Sequence, residues 1–339
     1  MNKNNSSSGY LEKCYLEDYP LLEASTVCVI KAAMKHNLKV DILDEARSFI
    51  KISDEEKEEY IYQATKTSKD ISTFPFITDN KEFVKTLLRD NNFNTPDGII
   101  LEKGLTKRDL LFLTRRFVNK SVVVKPNTTN KGIGITVFEK PVSEKDLLNA
   151  IKNAFKHDDK VIVEEFKKGL EYRFLVIGDE CVCVLHRRAA SVVGDGKTSI
   201  ANLIKLKNEE PWHGLSGRVI TIDDNLIATL KRQKYSLKSV PEKGKRVFVR
   251  DNSNCSTGGE SIDLTEIVPD EFKRVAVKAA KLFNAKICGV DILIDNFNKF
   301  EYSIVELNDN PGIGICECPY EGKGQPIGDY ILRLLGFIE

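Results

Sequence analysis

Two apolar runs near the C-terminus constrain the fold more than any other feature of the chain. Lys286–Ile294 and Tyr302–Leu307 read as strands on either side of Asp295-Asn296-Phe297-Asn298-Lys299, a turn-rich hairpin tip. Side chains alternate along a strand, so Glu306 and Asn308 leave the same face. Folding the hairpin about residues 298 and 299 sets Asp291 opposite Glu306, and Gly289, which has no side chain, opposite Asn308. Like charges directly opposite are destabilising. A hard divalent cation with oxygen ligands removes that cost, and such sets usually serve Mg²⁺ bridged to phosphates. An ordinary polar hairpin face is the competing reading. The apolar flanks favour Asp291, Glu306 and Asn308 as metal ligands in a core-like strand pair.

Two further stretches carry chemistry. Lys125-Pro126-Asn127-Thr128-Thr129-Asn130-Lys131-Gly132-Ile133-Gly134 ends a strand in lysine and takes two glycines into the next. Backbone N–H groups in such a loop cradle phosphate oxygens, with the ammonium beside them as a point charge. In Val161-Ile-Val-Glu164-Glu165-Phe166-Lys167-Lys168-Gly169-Leu170-Glu171-Tyr172-Arg173, two carboxylates end an apolar strand and a third follows the turn. A charged hairpin end explains that pattern. So does a strand end offering its backbone to an adenine edge, with a later carboxylate on ribose. Ser191-Val-Val-Gly-Asp-Gly196-Lys197-Thr198 falls one residue short of the phosphate-loop pattern GxxxxGK[ST], because its first position is Ser. A plain Gly-Asp-Gly turn is the simpler account.

The rest of the chain frames these sites. Residues 1–10 read as a disordered lead, 21–36 as a helix ended by Asn37, and Lys39–Leu43, Ser48–Ile52 and Tyr60–Ala64 as short strands. Asp79-Asn80 opens a helix closed by Thr95-Pro96-Asp97-Gly98. Strands follow at Ser121–Lys125, Ile133–Phe138, Val161–Phe166, Tyr172–Ile177 and Cys181–Arg187, with a Ser143-capped helix reaching His157. Residues 194–245 read as charged and irregular, Val268-Pro269 opens a long helix to Asn284, and Gln325-Pro326 opens the last. Strand runs with interspersed helices point to α+β layers. We divide the 339 residues into a short N-terminal α/β segment, 1–78, and a main domain, 79–339, with a lid subdomain at about 120–190. Fifty-one Lys and Arg against fifty Asp and Glu exclude a bulk nucleic-acid binder but not a local basic cleft. No run is long and apolar enough for a membrane span, and the polar start has no signal-peptide core. Eight cysteines without that signal point to the reducing cytoplasm and free thiols. Cys181/Cys183 and Cys316/Cys318 are C-x-C pairs, and none of the four histidines is spaced as a ligand pair.

Taken in order, KP…GxG, EEFxxGxEYR and GVD…ELNxNPG resemble the ATP-grasp superfamily of carboxylate–amine ligases over residues 80–335. Within that span, LEYRFLVIGDE, LHRRAASVVGDGKTSI, VPEKGKRVFVRDNSNCSTGGESIDLT and AKICGVDILI are similar to the ligase domain of bifunctional glutamate–cysteine ligase/glutathione synthetase enzymes. Residues 62–70 are similar to the segment preceding that domain. The resemblance implies an ATP-grasp fold holding nucleotide between two α+β subdomains, with ATP and Mg²⁺ as cofactors and Mn²⁺ as the alternative ion. It implies Lys125 on the α/β phosphates, Thr129, Gly132 and Gly134 in a closing loop, and Lys81 as a further nucleotide contact. Glu164, Glu165 and Lys167 then lie at the adenine edge, the last two through their backbone, with Glu171 on ribose. Arg173, Arg188 and Arg250 become candidates for substrate carboxylates or the acyl phosphate. Asn254, Ser256, Thr257 and Gly258 form a substrate loop, and Asn310 and Gly312 a narrow acceptor pocket. The run from Ile313 to Cys318 departs from the family.

The expected reaction joins γ-glutamylcysteine and glycine into glutathione, with small molecules as partners and neither nucleic acid nor membrane. The large first half of the fused enzymes is missing, so the expectation is a free-standing second half served by a separate glutamate–cysteine ligase. A cyanophycin-synthetase-like ligase, a P-loop-type kinase and a catalytically silent nucleotide-binding module are the alternatives.

Overall fold

The computed structural model describes residues 12–129, 133–214 and 218–339. The expected lead at 1–10 and the candidate Gly132 lie outside them. The chain forms two compact units. The first gathers Met1–Asp70, Leu175–Val268 and Asn310–Glu339, and the second gathers Ile71–Phe174 and Pro269–Asp309.

The first unit begins with α1 (Ala24–Lys35), which buries Val27, Cys28, Val29, Ile30 and Ala33. His36 follows as its C-cap, and Asn37 takes φ 57°, the left-handed turn expected of a helix stop. The three short strands are β1 (Lys39–Asp44), β2 (Phe49–Ser53) and β3 (Glu58–Tyr62), paired antiparallel in that order. Ile50, Ile52 and Ile61 are fully buried, as alternation requires.

In the second unit, the Asn80 side chain caps α2 (Lys81–Asp90) by accepting from the Phe83 N–H. The Pro-Asp-Gly turn leads into β4 (Gly98–Glu102), then α3 (Lys107–Thr114) with a Thr106/Asp109 capping box. Neither element was expected from sequence, because each is short and its core faces arrive from elsewhere in the chain. β5 (Val122–Pro126), β6 (Thr136–Phe138), α4 (Glu144–Ala154) and β7 (Lys160–Glu165) follow, close to expectation. The antiparallel sheet runs β4-β7-β5-β6. Leu101, Leu110, Val122, Leu147, Ile151 and Val163 belong to its core.

β8 (Leu170–Ile177) carries the chain across the division and back to the first unit. There β9 (Glu180–Arg188), β10 (Ser191–Val193), α5 (Ile200–Asn208), α6 (Asp224–Arg232), β11 (Arg246–Phe248) and β12 (Glu260–Asp263) follow. The stretch read as irregular therefore holds α5 and α6, with a single helical turn at Pro211–Gly214 between them. The apolar residues Ile200 and Ile204 of α5 and Leu226 and Leu230 of α6 pack with Val192 and Val247 into one core that the surrounding charge conceals in sequence. β12 pairs with β9 and β11 with β10, both antiparallel.

The second unit closes with α7 (Asp270–Leu282) and the hairpin of β13 (Ile287–Ile294) and β14 (Ser303–Asn308). The first unit closes with α8 (Ile327–Leu335), opened at Pro326 as expected. All eight cysteines are free thiols. Among the described residues no helix is long and apolar enough to cross a membrane.

Candidate active site

The β13/β14 hairpin has the register read from its sequence. Asp291 is the Cα partner of Glu306, and Gly289 that of Asn308. A bulge follows at once, with Ile292 opposite Ile304, and bulges of this kind re-aim side chains beside functional sites. Asp291 is 1% exposed. Its carboxylate receives both edges of the Arg173 fork, Nη2 at 2.8 Å and Nε closer still. The Asn308 amide lies 3.5 Å from Asp291 Oδ2 and from the Gly289 carbonyl. Glu306, more open, lies 3.4 Å from Lys81 Nζ. Cations therefore answer both acids in the protein itself. An all-oxygen donor set on neighbouring strands has the chemistry of a magnesium site.

Lys81 also donates to the Thr129 carbonyl at 2.8 Å, so one ammonium joins the loop after β5 to Glu306. Asn127 holds the same loop onto α2, accepting from the Glu82 N–H at 3.0 Å and donating to Asn80 at 3.2 Å. The Thr129 hydroxyl donates to the Ile133 carbonyl at 2.8 Å. Gly134 takes φ +75°, and a Cβ there would meet Pro126 at 2.7 Å. Glycine is thus required at 134 by backbone conformation and by space.

Lys125 and Glu164 leave adjacent strands and form a buried pair at 2.8 Å. Gly98 makes room for it, since a Cβ there would stand 2.8 Å from that of Glu164. Sequence reading missed the third member, Lys85, whose ammonium contacts the other oxygen of Glu164. Its position four residues after Lys81, on the same helix face, was the available signal. Burial pushes the Lys85 pKa down to about 7, with Lys125 adding to the effect. Burial alone would lower the Lys125 pKa too, but the Glu164 carboxylate outweighs it and raises the value. A cavity of about 170 Å³ adjoins this trio, lined by Lys85, Arg89, Gly98, Ile100, Ile162 and Glu164. Glu165 donates its N–H to the Asp97 carbonyl at 2.9 Å and pairs with Lys167 at 2.6 Å, while Glu171 is half-buried on β8.

The remaining candidates lie in the first unit. Arg188 Nε donates to Glu260 at 2.6 Å and its Nη2 to Glu321 at 2.5 Å. Arg250 grips Asp223 with both Nη groups, at 2.7 and 2.9 Å. Asn254, Ser256 and Thr257 lie in a tight turn, where Thr257 donates to Asn252 at 2.8 Å. Gly258, at φ +89°, packs where a Cβ would meet Ile220 at 2.3 Å. Asn310 accepts from the buried Thr65 hydroxyl at 2.5 Å and donates to Gln63 at 2.9 Å, which gives the 62–70 segment a physical task. Gly312 is open, with nothing near its missing side chain.

The near-miss phosphate loop is a local turn. Asp195 accepts from the Lys197 and Thr198 N–H groups at 2.8 and 2.7 Å. Those are the donors a phosphate loop turns on its ligand.

Three family models match successive stretches: an ATP-grasp-like domain over residues 21–72, a D-ala D-ala ligase C-terminus over 88–196, and a RimK-like ATP-grasp domain over 201–320. The chain belongs to the ATP-grasp family. Its mixed helices and sheets match the crystal structure of a bifunctional glutathione synthetase from Pasteurella multocida. The TM-score is 0.75 at 32% identity, covering 96% of this chain and 45% of that one. The glutathione biosynthesis bifunctional protein of Clostridium perfringens is 41% identical over 94% of this chain and 42% of its own length. That of Enterococcus faecalis is 36% identical over 98% and 45%. This ATP-grasp chain thus spans less than half the length of these relatives. Each is named as one bifunctional protein, so the expected separate glutamate–cysteine ligase finds no support among them.

Proposed function

We propose that this ATP-grasp chain joins γ-glutamylcysteine to glycine, forming glutathione with ATP as the energy source. The observation that carries the chemistry is the second unit's collection of Asp291, Glu306 and Asn308 in register, with Lys81, Lys85 and Lys125 in the same unit. The substrate pair rests on the glutathione biosynthesis proteins that match nearly the whole chain.

Phosphoryl transfer asks a protein for positioning and charge neutralisation. Lys125 and Lys85 would meet nucleotide phosphates, with Thr129 and Gly134 at the ends of the loop beside them. Glu165 and Lys167 would offer backbone to the base, and Glu171 a carboxylate to ribose. Asp291, Glu306 and Asn308 would hold Mg²⁺, which when bound neutralises phosphate charge. Arg173 would hold Asp291 in orientation. The γ-phosphoryl group then passes to the cysteinyl carboxylate, the glycine amine attacks the resulting acyl phosphate, and phosphate leaves. The 254–258 turn and the Asn310–Gly312 segment would receive the substrates.

The test is purified protein with γ-glutamylcysteine, glycine, ATP and Mg²⁺, read as phosphate release and as glutathione by mass. The expected result is glutathione formed in step with phosphate. No glutathione, together with clear ligation of Asp or Arg onto an acidic peptide, would overturn the reading in favour of a cyanophycin-like ligase.

A further inference from the structure

The two acids of the proposed metal site are each answered by a cation of the protein, but in different ways. Asp291 is met by a planar fork: Arg173 reaches both of its oxygens, and both side chains are almost wholly buried. Glu306 is met by a point charge. Lys81 Nζ stands 3.4 Å from Glu306 Oε1, with the carboxylate side chain 30% exposed and the lysine 7%. A second bond, to the Thr129 carbonyl at 2.8 Å, holds the ammonium there. Lys125 also feels the Glu306 charge, although burial and Glu164 act on it more strongly. Asp309, the next carboxylate along the chain, accepts from the Thr78 hydroxyl at 3.4 Å. All these residues belong to the second unit.

A divalent cation approaching Glu306 therefore finds an ammonium already beside it. Either the metal displaces Lys81 or it sits against a like charge in a partly dry site. The net contribution of such a pair to folding is small, but an incoming cation meets the charge itself. At about 4 Å, one pair of unit charges changes an equilibrium constant roughly fivefold in bulk water and roughly a thousandfold near a protein surface. The Arg173 fork is bidentate and fixed, whereas Lys81 carries its charge on a flexible four-carbon stem and exchanges partners readily. Its other acceptor, the Thr129 carbonyl, is neutral, so an anionic phosphate oxygen would be the stronger acceptor.

We infer that Lys81 is a positioning residue that closes Glu306 to free divalent cation and yields it only when nucleotide phosphate draws the ammonium away. The inference rests on the metal site of the proposed function and deepens it: metal and nucleotide enter together, and metal alone is held off. The identities of the acid and amine substrates play no part in it.

The test is equilibrium dialysis of the full chain against Mn²⁺, read as the excess of metal on the protein side, without nucleotide and with ADP. Wild type should hold free Mn²⁺ weakly and hold it more tightly with ADP. Without nucleotide, Lys81→Met should bind Mn²⁺ at least about tenfold more tightly than wild type, and ADP should then add less. Adding Glu306→Gln to Lys81→Met should abolish the gain, because the ligand that was freed is gone. A damaged site would lose metal, so a gain in affinity is a readout that a merely structural role does not produce. Lys81→Gln, which keeps a donor for Thr129, carries the same expectation where thermal melting shows that Lys81→Met does not fold. Unchanged or weaker Mn²⁺ binding in the folded variant, or a gain that survives Glu306→Gln, overturns the inference. Wild type that holds no Mn²⁺ even with ADP overturns the metal site, and the inference with it. The expected gain alongside a failure to form glutathione overturns the substrate pair and leaves the inference standing.

Discussion

Lys85→Met separates a nucleotide-binding lysine from a structural one. Lys85 and Lys125 are 4% exposed and Glu164 2%, so two cations share one carboxylate out of water. Burial is the first cause that brings Lys85 from its ordinary 10.5 to about 7. At about 1.36 kcal/mol for each tenfold in proton affinity, keeping Lys85 charged in the folded protein costs on the order of 4–5 kcal/mol. Between pH 7 and 10.5 the unfolded chain holds a proton on Lys85 that the folded protein has released. Stability therefore rises with pH across that window, and the penalty is complete below it. Methionine keeps the length, removes the charge and leaves Lys125 and Glu164 as a one-to-one pair. After allowance for the lost contact with Glu164, Lys85→Met should be about 2–4 kcal/mol more stable than wild type at pH 6.5. The gap should narrow steadily towards pH 10. The same substitution should raise the KM for ATP at least about tenfold, since the unmatched charge is what a phosphate would answer. Urea unfolding across the pH range and initial rates against ATP measure both. A variant less stable than wild type at pH 6.5, or a gap independent of pH, refutes the reasoning. An unchanged KM makes Lys85 purely structural.

Glu306→Gln removes one charge from the proposed metal site, and turnover should fall at least about a hundredfold in the steady-state ligation assay. Its thermal midpoint should barely move, because the partly exposed pair with Lys81 contributes little. Gly134→Val should lose about 1–3 kcal/mol in urea unfolding as well as raising the KM for ATP, since a β-branched residue must adopt φ +75° against Pro126. Lys197→Ala should leave the KM for ATP within about twofold, because the 195–198 turn satisfies its own donors; a large rise would restore the phosphate-loop reading.

Some of this protein is written locally in its sequence. The Asp291/Glu306 register follows from alternation and turn composition over some twenty neighbouring residues. The Asn80 and Ser143 caps depend only on hydroxyl or amide groups reaching the first helical turn. The Asn37 helix stop is equally local. Short β4 and α3 escaped because they contribute single apolar faces to a core assembled from distant segments. The state of each charged group was also out of reach. Lys85 meets Glu164 across 79 residues, Arg173 meets Asp291 across 118, and Arg188 meets Glu321 across 133. A sequence shows that a guanidinium is present but not whether its fork is already filled. That depends on which carboxylates the fold excludes from water beside it, because desolvation makes an unpaired buried charge too costly to keep. Residue type and spacing therefore determined the chemistry available to this chain. Tertiary packing alone decided that Arg173, Arg188 and Arg250 hold the protein's own acids.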